Sequence, residues 1–493
     1  MKKVLFLLLA VLVLFLGILT VKALLSPSRQ MRVNAETVLA IPRQEATTRL
    51  AAAITFPTVS LGQEDAVSGG AFDDLFKNLA ASFPLVHAQL QVDVVNQYSR
   101  LFFWPGSDPE KDPILFITHS DVVPVEPGSA ERWTHPPYSG QVADGFVWGR
   151  GSLDNKSAVL AALEALEHLL FLGYQPERGV YLAVGHDEEV GGNGGAEQIA
   201  ALLKQRGVRL AFTLDEGSPI ISDMLPGITS PVAVVGLAEK GYLSLELVLR
   251  VTEAGHAAMP RGDGAIVRLG RALIRLGENP MPARLQSPTN EMIDFLAPEM
   301  PFLNRVAMAN RSLLSPILRR LFEAKPATNA MVRTTAAPTI FKAGFKSNAL
   351  PAQASAIVNF RMLPGDSSEA VIAYVTATID DPDISVRRFG DFNEASLVST
   401  CDSPSFREVQ RAIHAVFPEV VVVPGLVIAG TDSKHYQHLA DAQFRFLPTR
   451  FSPIDIKRLH GTNERIAIDN YLEIIRFYIS LIRGPGQPHS STS

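Results

Sequence analysis

The pattern of apolar and polar positions along the chain begins with an unusually apolar segment. Lys2 and Lys3 precede an uncharged run from Val4 to Val21 that shows no polar stripe at helical spacing. As a helix rising about 1.5 Å per residue, this run reaches roughly 27 Å, close to the hydrocarbon thickness of a bilayer. A helix buried in a soluble core normally keeps a polar face. The run therefore predicts a membrane helix.

Two interpretations of this segment remain open, an uncleaved signal anchor and a signal peptide cleaved after Ala23. The run is long for the apolar part of a signal peptide, which favours the anchor. In both cases the basic start predicts that the body of the protein lies outside the cytoplasm, in a periplasmic, extracellular or lumenal compartment. The protein would be membrane-anchored, or secreted if the segment is cleaved.

From about residue 45, short β-rich runs alternate with helical patterns such as 157–171 and 198–204. Continuous apolar strands of this kind are buried in a parallel or mixed sheet, so the pattern predicts an α/β fold. Three predicted strands, 113–118, 179–184 and 210–214, run into the polar clusters His119-Ser-Asp121, His186-Asp-Glu-Glu189 and Asp215-Glu-Gly217. Because ligand sites of open α/β sheets gather at the carboxyl ends of the strands, we expect these clusters to meet.

The character of the chain changes after Gly236. The predicted order is strand, helix, two strands, helix and strand, over residues 242–250, 263–276, 335–341, 354–361, 367–379 and 384–388. This order is typical of a small α+β sandwich. A mostly helical insertion with an apolar face is predicted between about residues 280 and 326. The earlier pattern resumes near residue 403 and ends in a helix over 469–481.

Composition narrows the possible functions. The chain has 493 residues, of which 47% are hydrophobic, so it can build a sizeable core and is not intrinsically disordered. The net charge of -5 gives no reason to expect a nucleic-acid partner. Cys401 is the only cysteine, which excludes an internal disulfide and a Cys-rich zinc site. Any metal site must therefore use His, Asp and Glu.

The first candidate ligands lie around residues 119 and 154. His119 and Asp121 are two apart at a strand end, so both side chains leave on one face, and the carboxylate can accept one ring N–H while the other nitrogen binds a metal. Alone, this spacing is more often a solvated turn. Asp154 follows a Gly-rich turn and precedes a helix, where it could equally be an N-cap.

Together, the remaining candidate residues strengthen the prediction of a metal site. Glu188 and Glu189 are adjacent carboxylates after a buried strand, where their repulsion is costly unless a cation or solvent relieves it. Asp215 repeats the pattern, and His460 supplies a second imidazole. A set of His and carboxylates without thiols suits Zn²⁺ or a similar divalent ion, including a paired-metal site. The sequence has no HExxH, GxSxG or P-loop motif that would indicate another chemistry.

Five ordered motifs resemble the zinc-dependent aminoacylase/carboxypeptidase metallohydrolases. They are Thr118-His-Ser-Asp121, Trp148-Gly-Arg-Gly-Ser-Leu-Asp-Asn-Lys156, Asp187-Glu-Glu189, Asp215-Glu-Gly217 and His460-Gly-Thr-Asn-Glu464. The stretch around Gly430-Thr431-Asp432-Ser433 resembles the carboxypeptidase S branch, which includes N-fatty-acyl-amino-acid hydrolases. The resemblance runs from about residue 45 to 483. It implies an α/β, mixed-sheet zinc-hydrolase catalytic domain with an inserted α+β sandwich that acts as a lid or dimerisation domain.

The resemblance also implies a role for each motif residue. Two zinc ions per subunit are implied, with Co²⁺ or Mn²⁺ as possible substitutes. One zinc would be held by His119 and Asp215, the other by Glu189 and His460, with Asp154 as the bridge, Asp121 orienting His119 and Glu188 as general base. The peptide bond after Asp154 is implied to be cis.

Five further positions carry implied roles in substrate binding or oxyanion stabilisation. His256, in a Gly-His-Ala-Ala motif, would stabilise the oxyanion, often from a partner subunit, since the lid can form a homodimer. Arg361 would hold the substrate carboxylate through its fork of donors, although a lone Arg on a strand is usually a surface charge. Asn348 and the pair Gly430 and Thr431 would line the same cleft.

These expectations combine into one organisation of the chain. The predicted segments are 1–25 signal anchor or signal peptide, 45–236 first part of the catalytic domain, 237–395 lid or dimerisation domain, 396–484 second part of the catalytic domain, and 485–493 disordered tail. The predicted function is hydrolysis, by metal-activated water, of peptides or N-acyl-amino acids with a free carboxylate. The apolar insertion favours long acyl chains. An aminoacylase or deacetylase of small N-acyl metabolites and a metal-free surface binding protein remain the alternatives.

Overall fold

A computed structural model describes residues 1–33, 40–61, 69–225, 227–252, 255–259 and 264–484. The predicted disordered tail at 485–493 and the predicted helix start at Asp263 lie outside the described residues. The first part of the chain contains helices α1 (Lys2–Leu25), α2 (Arg43–Ile54), α3 (Gly69–Ser82), α4 (Pro84–Gln89), α5 (Lys156–Phe171) and α6 (Ala196–Gln205). Its strands are β1 (Gln91–Val95), β2 (Ser99–Trp104), β3 (Ile114–His119), β4 (Val142–Ala143), β5 (Phe146–Trp148), β6 (Val180–Gly185), β7 (Phe212–Asp215), β8 (Ile220–Ile221) and β9 (Val232–Glu239).

The middle part contains a second set of strands and helices. The strands are β10 (Gly241–Arg250), β11 (Gly255–His256), β12 (Thr335–Ala343), β13 (Ala349–Leu350), β14 (Gln353–Met362) and β15 (Ile384–Arg388). The helices are α7 (Ala265–Glu278), α8 (Thr289–Leu296), α9 (Phe302–Ala309), α10 (Arg311–Glu323), α11 (Pro326–Ala330) and α12 (Ser368–Ile379). The last part contains α13 (Pro404–Val416), β16 (Val421–Val427), β17 (Gln443–Arg445), β18 (Arg450–Phe451), β19 (Arg465–Ala467) and α14 (Ile468–Arg483).

The first and last parts share one large mixed sheet, as the sequence predicts. Its order is β1-β2-β6-β3-β7-β17-β9-β8-β18, with β16 parallel to β9. At its centre β6, β3 and β7 are parallel, so their carboxyl ends lie side by side at one edge. All six residues of β3 are buried. The strand is apolar on both faces because helices cover both faces of the sheet.

Alternate residues of β3 belong to different cores. Phe116 packs into the larger core with residues of α5 and α14, whereas Leu115 and Ile117 pack with Ile199 of α6 on the opposite face. This alternation follows from the two-residue period of a strand. The same period decides which side chains at the end of each strand face the candidate site.

The middle part forms its own sheet and core. The sheet is antiparallel, in the order β12-β14-β10-β15, and α7 and α12 pack on it. Leu245, Leu269, Val358 and Val375 are buried together between the sheet and these helices. We call this four-stranded sheet with its two helices the second unit. Its order of elements agrees with the α+β pattern read from the sequence.

The N-terminal apolar run is a single helix, α1. It is the one helix among the described residues that is long and apolar enough to cross a membrane, with a mean hydropathy of 3.2, and only 6% of its apolar window is buried. A signal sequence at the N-terminus would meet the same criteria of minimum length and apolar composition. The segment between residues 280 and 326 contains α8, α9 and α10, and α1 packs against α9.

Candidate active site

The candidate site lies where β3, β6 and β7 end. His119 is the last residue of β3, and Glu188 and Glu189 form a short turn after β6. Asp215 is the last residue of β7, and Glu216 follows it. His460 arrives from a loop just before β19, in the last part of the chain. The parallel pairing of the three strands thus brings their polar ends to one edge, as expected.

His119 is oriented by its neighbours on both sides of the ring. Its Nδ1 lies 3.1 Å from the carbonyl oxygen of Asp121 and 3.3 Å from Asp121 Oδ1. Its Nε2 lies 3.0 Å from Asp154 Oδ1 and 3.3 Å from Glu216 Oε1. Burial opposes protonation, but the surrounding carboxylates raise the pKa of His119 well above its usual value. The ring therefore directs Nε2 into a strongly acidic cluster.

Asp154 lies between the two imidazoles. Its Oδ1 faces His119 Nε2 and its Oδ2 faces His460 Nε2, each at 3.0 Å. Although Asp154 is buried, hydrogen bonds to both His hold the pKa of its carboxyl below the usual range. The Asp154–Asn155 peptide bond is cis, as the resemblance implied. The two oxygens of one carboxylate thus serve two separate imidazoles.

Glu189 is the second carboxylate, besides Asp154, that lies next to His460. Its Oε2 lies 3.3 Å from His460 Nε2, and its buried Oε1 has no hydrogen-bond partner among the described residues. Hydrogen bonds to Asp154 and Glu189 raise the pKa of His460 to about 10. Burial and neighbouring carboxylates raise the pKa of Glu188 well above its usual value, against the effect of His119.

Asp121 connects His119 to the turn that carries the two glutamates. It is fully buried, and its two oxygens accept hydrogen bonds from the backbone N–H groups of Glu188 at 3.2 Å and Glu189 at 3.1 Å. The same carboxylate lies beside His119 Nδ1. One side chain therefore sets both the ring and the turn, as the orienting role predicted for Asp121 requires.

The donor set fits divalent cations. His119, Asp154 and Glu189 can bring one ligand atom each within 4.8 Å of one another, and so can His119, Glu188 and Glu216. Imidazoles this close to several carboxylates require either protons on the rings or a shared cation. The orphaned Glu189 oxygen also points to a missing positive partner. Nitrogen and oxygen donors of this kind suit Zn²⁺, and also Co²⁺ or Mn²⁺.

The structure does not bring Asp215 into this cluster. Asp215 Oδ2 accepts a hydrogen bond from Ser433 Oγ at 2.9 Å, Oδ1 accepts one from the backbone N–H of Glu216 at 2.8 Å, and burial raises the pKa of Asp215 to about 7. Glu216 faces His119 instead and accepts a hydrogen bond from the side chain of Asn155. In this structure Glu216, rather than Asp215, is therefore the carboxylate of this strand end that faces His119. Neighbouring residues at a strand end point to opposite faces, so a shift of one position exchanges them.

A residue without a predicted role, Glu464, holds the loop that carries Asp154. It is buried, pairs with Arg150 at 2.5 Å, and its Oε1 accepts hydrogen bonds from the backbone N–H groups of Gly151, Leu153 and Asp154 at 2.9, 2.8 and 3.2 Å. Glu464 stands in one of the quoted motifs, which was the only sequence signal for it.

Arg150 also contacts the loop that carries His460. Its guanidinium donates to the carbonyl oxygens of His460 at 3.1 Å and Gly461 at 3.2 Å. The pair Arg150 and Glu464 thus fixes the loops of both Asp154 and His460.

Two cavities share the carboxylate cluster. The larger, of about 720 Å³, is lined by Glu188, Glu189 and His460 and extends to Arg361 and Tyr242 of the second unit. The Arg361 guanidinium lies 4.9 Å above the Tyr242 ring and has no carboxylate within salt-bridge distance in the described part of the chain. Burial lowers the pKa of Arg361 from its usual value, because the guanidinium is partly removed from water and the Tyr242 ring only partly offsets this.

The smaller cavity is more apolar. It has a volume of about 190 Å³ and shares Glu188, Glu189, Gly430 and His460 with the larger one. Six apolar residues line part of its wall: Leu153, Pro219, Ala429, Leu447, Phe451 and Leu459. Polar residues of the cluster and its surroundings line another part: Asp154, Glu216, Ser218 and Thr449. Thr431 also lines it, but its hydroxyl already donates to Glu239 at 2.8 Å.

His256 and Asn348 lie apart from the cluster. They are exposed and adjacent, since the N–H of Ala257 donates to the carbonyl oxygen of Asn348 at 3.1 Å. Neither is among the described residues that line the two cavities. The oxyanion role predicted for His256 would therefore require a movement of the second unit or a second subunit.

Comparison with known proteins gives one consistent result. Residues 115–484 match the sequence model of the family described as "Peptidase family M20/M25/M40". The chain is 40% identical to the probable carboxypeptidase S-like 2 of Dictyostelium discoideum over 439 residues, which cover 88% of this chain and 84% of that protein. It is 39% identical to the N-fatty-acyl-amino acid synthase/hydrolase PM20D1 of Xenopus tropicalis over 444 residues, with 90% and 86% covered. The fold resembles the M20 family metallo-carboxypeptidase Sso-CP2 of Sulfolobus solfataricus, with a TM-score of 0.65, 17% identity, and 89% and 98% of the chains covered.

Proposed function

Because the chain belongs to peptidase family M20/M25/M40, whose members are metal-dependent peptidases and amidohydrolases, we propose that it hydrolyses amide bonds next to a free carboxylate. The preferred substrates are N-acyl-amino acids with a long apolar acyl chain, with hydrophobic peptides as a related class. The observation that carries this proposal is that a cavity containing Arg361 and a smaller, more apolar cavity meet at one carboxylate cluster.

Two divalent ions, most simply Zn²⁺, would be held by the side chains around Asp154. His119 and Glu216 would bind on one side of Asp154, and Glu189 and His460 on the other. When bound, such ions supply Lewis acidity that lowers the pKa of water and polarises a carbonyl oxygen. The fit of nitrogen and oxygen donors supports this assignment, and Glu216 takes the place first given to Asp215.

Glu188 is the proposed general base. It lines both cavities, so it borders the position where the scissile amide would lie. Burial raises its pKa, which makes the carboxylate a stronger proton acceptor than an exposed glutamate. Glu188 would take a proton from the attacking water and return it to the leaving nitrogen of the amino acid.

Arg361 is the proposed anchor of the substrate carboxylate. A half-buried guanidinium without a carboxylate partner is costly to desolvate and gains from a bidentate anion. Lys434, which lines the same cavity, adds positive charge. The part of the acyl chain next to the scissile amide would then lie in the smaller cavity beside Leu447 and Phe451.

We propose that α1 is a membrane anchor with the catalytic body outside the cytoplasm, or a signal peptide that is removed. The second unit would act as a lid, and as the contact in a homodimer that brings His256 of one subunit to the cluster of the other.

The test of the proposed function uses Glu188→Gln in the full-length protein with a panel of substrates. N-oleoyl-amino acids should be cleaved faster than short polar dipeptides, and Glu188→Gln should reduce kcat by about 10²–10⁴ while the metal content, measured by elemental analysis, stays the same. Near-normal turnover of the variant would remove Glu188 from this role, and a preference for small polar dipeptides would exclude the acyl-chain proposal. Purified protein that holds no metal and cleaves none of these substrates would favour a binding protein.

The variant Arg361→Met tests the proposed binding of the substrate carboxylate by Arg361. It should raise KM for N-oleoyl-glycine and leave the slow cleavage of its amide-capped analogue unchanged, because the analogue offers no carboxylate. Equal losses for both substrates would contradict the anchoring role.

A further inference from the structure

The C-terminal end of α1 is held by a side chain of the apolar insertion. Arg305 of α9 donates from Nε to the carbonyl oxygen of Ala23 at 2.8 Å and from its terminal nitrogen to that of Ser26, also at 2.8 Å. The last carbonyls of a helix have no partner within the helix, so Arg305 acts as its cap. Ala23 itself is fully buried in this contact.

α9 runs antiparallel to α1, and the C-terminal end of α9 lies beside the apolar run of α1. One turn earlier in α1, Asn310 donates from its side-chain amide to the carbonyl oxygen of Leu19 at 3.0 Å and also to that of Val306 at 2.8 Å. Asn310 is 3% exposed and uses both amide hydrogens. A polar group beside lipid must be satisfied in this way. The end of α9 therefore lies at the depth of the segment that we assign to the membrane.

α10 starts at this point and exposes a single apolar stripe. Leu313, Ile317 and Leu321 recur at every fourth position and are 54%, 56% and 61% exposed. At about 100° per residue, successive members of this stripe are about 40° apart around the helix, so the three span about 80°. Leu318 and Phe322 are buried on an adjoining face. α10 is thus packed on the body by one face while the stripe points away from it.

We propose that the end of α9 and the exposed stripe of α10 lie in the lipid bilayer beside α1, so that the catalytic body rests on the membrane in one fixed orientation. The proposal depends on α1 being a membrane helix and is independent of the hydrolase reaction. Its occupant is lipid because α9, which leads directly into α10, packs against α1, and α1 is exposed and apolar along most of its length. The first turn of α10, with Arg311 and Ser312, borders the same cavity as Lys22 of α1 and Ser26, which follows α1.

The charges near this surface fit the same placement. Lys22 lies in the last turn of α1, and Arg319, Arg320 and Lys325 lie on or just after α10. Basic residues beside an apolar stripe are typical of helices that lie at a bilayer interface, with the charges at the level of the headgroups. A groove of about 860 Å³ between α1 and Ala309 is lined almost entirely by apolar residues, which lipid chains can fill.

The test uses single-cysteine labelling of the full-length protein in phosphatidylcholine vesicles. Cys401 is buried and burial raises the pKa of its thiol to about 11, so it stays unlabelled at neutral pH, and the parent protein measures any background. A fluorescent maleimide is placed at Ile317→Cys, with Leu321→Cys as a second position on the stripe. Arg319→Cys is the matched control, because this exposed position lies about 160° from the stripe on the same helix.

Quenching by a lipid-borne nitroxide is compared with quenching by aqueous iodide. The probes at 317 and 321 should be quenched at least about fivefold more by the nitroxide than the probe at 319, with the reverse order for iodide. Access of iodide to 317 and 321 equal to that at 319 would overturn the proposal. Protection from both quenchers would also overturn it, since a second protein chain would then cover the stripe.

The variant Leu12→Cys on α1 tests separately whether α1 itself lies in the bilayer. Its probe should be quenched by the nitroxide whenever α1 lies in the bilayer. If Leu12 is lipid-exposed and 317 is not, the anchor stands and the proposed contact of α10 is wrong. Circular dichroism and thermal unfolding of each labelled variant confirm the fold without reference to enzymatic activity.

Discussion

The buried pair of Arg150 and Glu464 shows how strongly the candidate site depends on side chains that bind neither metal nor substrate. Glu464 holds the backbone around Asp154, and Arg150 holds the backbone of His460. Both groups are almost completely buried. A buried ion pair of this kind is weak evidence for overall stability, but losing one partner leaves an uncompensated charge.

We therefore expect Glu464→Gln to lower the free energy of unfolding by about 3 kcal/mol or more, because Arg150 would remain charged and buried. The control is Asp93→Asn, which breaks the more exposed pair of Asp93 with Arg206 and should cost less than about 1 kcal/mol. Chemical denaturation measures both values. Equal losses in the two variants would contradict the positioning role of Glu464.

The exchange of Asp215 for Glu216 gives a second prediction at this scale. Glu216→Gln should lose about one metal ion per chain because Glu216 lies beside His119, whereas Asp215→Asn should keep its metal. Elemental analysis after dialysis against a fixed free zinc concentration measures both variants. Metal loss from Asp215→Asn alone would restore the original assignment.

Single residues also mark the limit of the sequence analysis. His119, Asp154, Glu189 and His460 are recognisable because their residue types, spacing and order are specific. Whether Asp215 or Glu216 faces the cluster depends on where β7 ends, and a shift of one residue reverses the answer. The role of Glu464 depends on contacts with a loop more than 300 residues away in the sequence, which periodicity does not reveal.

At the scale of elements, the turn after β6 is fitted closely to a neighbouring segment. Gly192 follows the pair Glu188 and Glu189 and has a φ of +74°. A Cβ atom at this position would overlap the carboxylate of Asp432, which is itself buried. The absence of a side chain at 192 therefore allows the turn with both glutamates to lie against the segment that contains Asp432.

Gly192→Ala should lower the free energy of unfolding by about 2–5 kcal/mol and weaken metal binding, because steric overlap adds to the cost of a positive φ. Gly207→Ala is the matched control, since Gly207 has a φ of +68° but open space around it. It should cost about 1 kcal/mol and leave metal binding unchanged. Thermal unfolding and zinc titration measure the two effects. If the two glycines behave alike, overlap with Asp432 plays no part.

Most elements were predictable because their patterns are local. The strands β3, β6 and β7 of the large sheet, the four strands of the second unit and the helices α5, α12 and α14 agree with the sequence analysis to within a few residues. The other strands of the large sheet were not predicted. The docking of α1 on α9 was not predictable, because it depends on the side chains of Arg305 and Asn310 meeting backbone carbonyls. Such contacts leave no period in the sequence.

At the scale of the whole molecule, the site concentrates negative charge between two parts of the chain. Asp154, Glu188, Glu189 and Glu216 lie around only two imidazoles. A bound cation relieves this repulsion in the folded state and binds weakly to the unfolded chain, so it stabilises the fold by mass action.

Removal of metal with a chelator should abolish hydrolysis and lower Tm by a few degrees, because a ligand at 100 times its Kd contributes about 2.7 kcal/mol. Zn²⁺ should restore both properties, and Co²⁺ or Mn²⁺ should restore at least part. Differential scanning calorimetry and an activity assay follow the cycle. The variant His460→Ala serves as the control, and its Tm should respond less to the chelator. An unchanged Tm in the parent protein would show that the cluster holds no tightly bound ion.

The path of the chain through the site has a consequence for biosynthesis. His119, Asp154, Glu189 and Glu216 precede the second unit in the sequence, and His460 follows it. During synthesis the ribosome therefore releases the first four residues while the second unit is still to be made. Only the arrival of His460, held by Arg150, closes the cluster. A metal bound as proposed would therefore find its full set of ligands only at a late stage of chain completion, and fragments that end within the second unit lack His460.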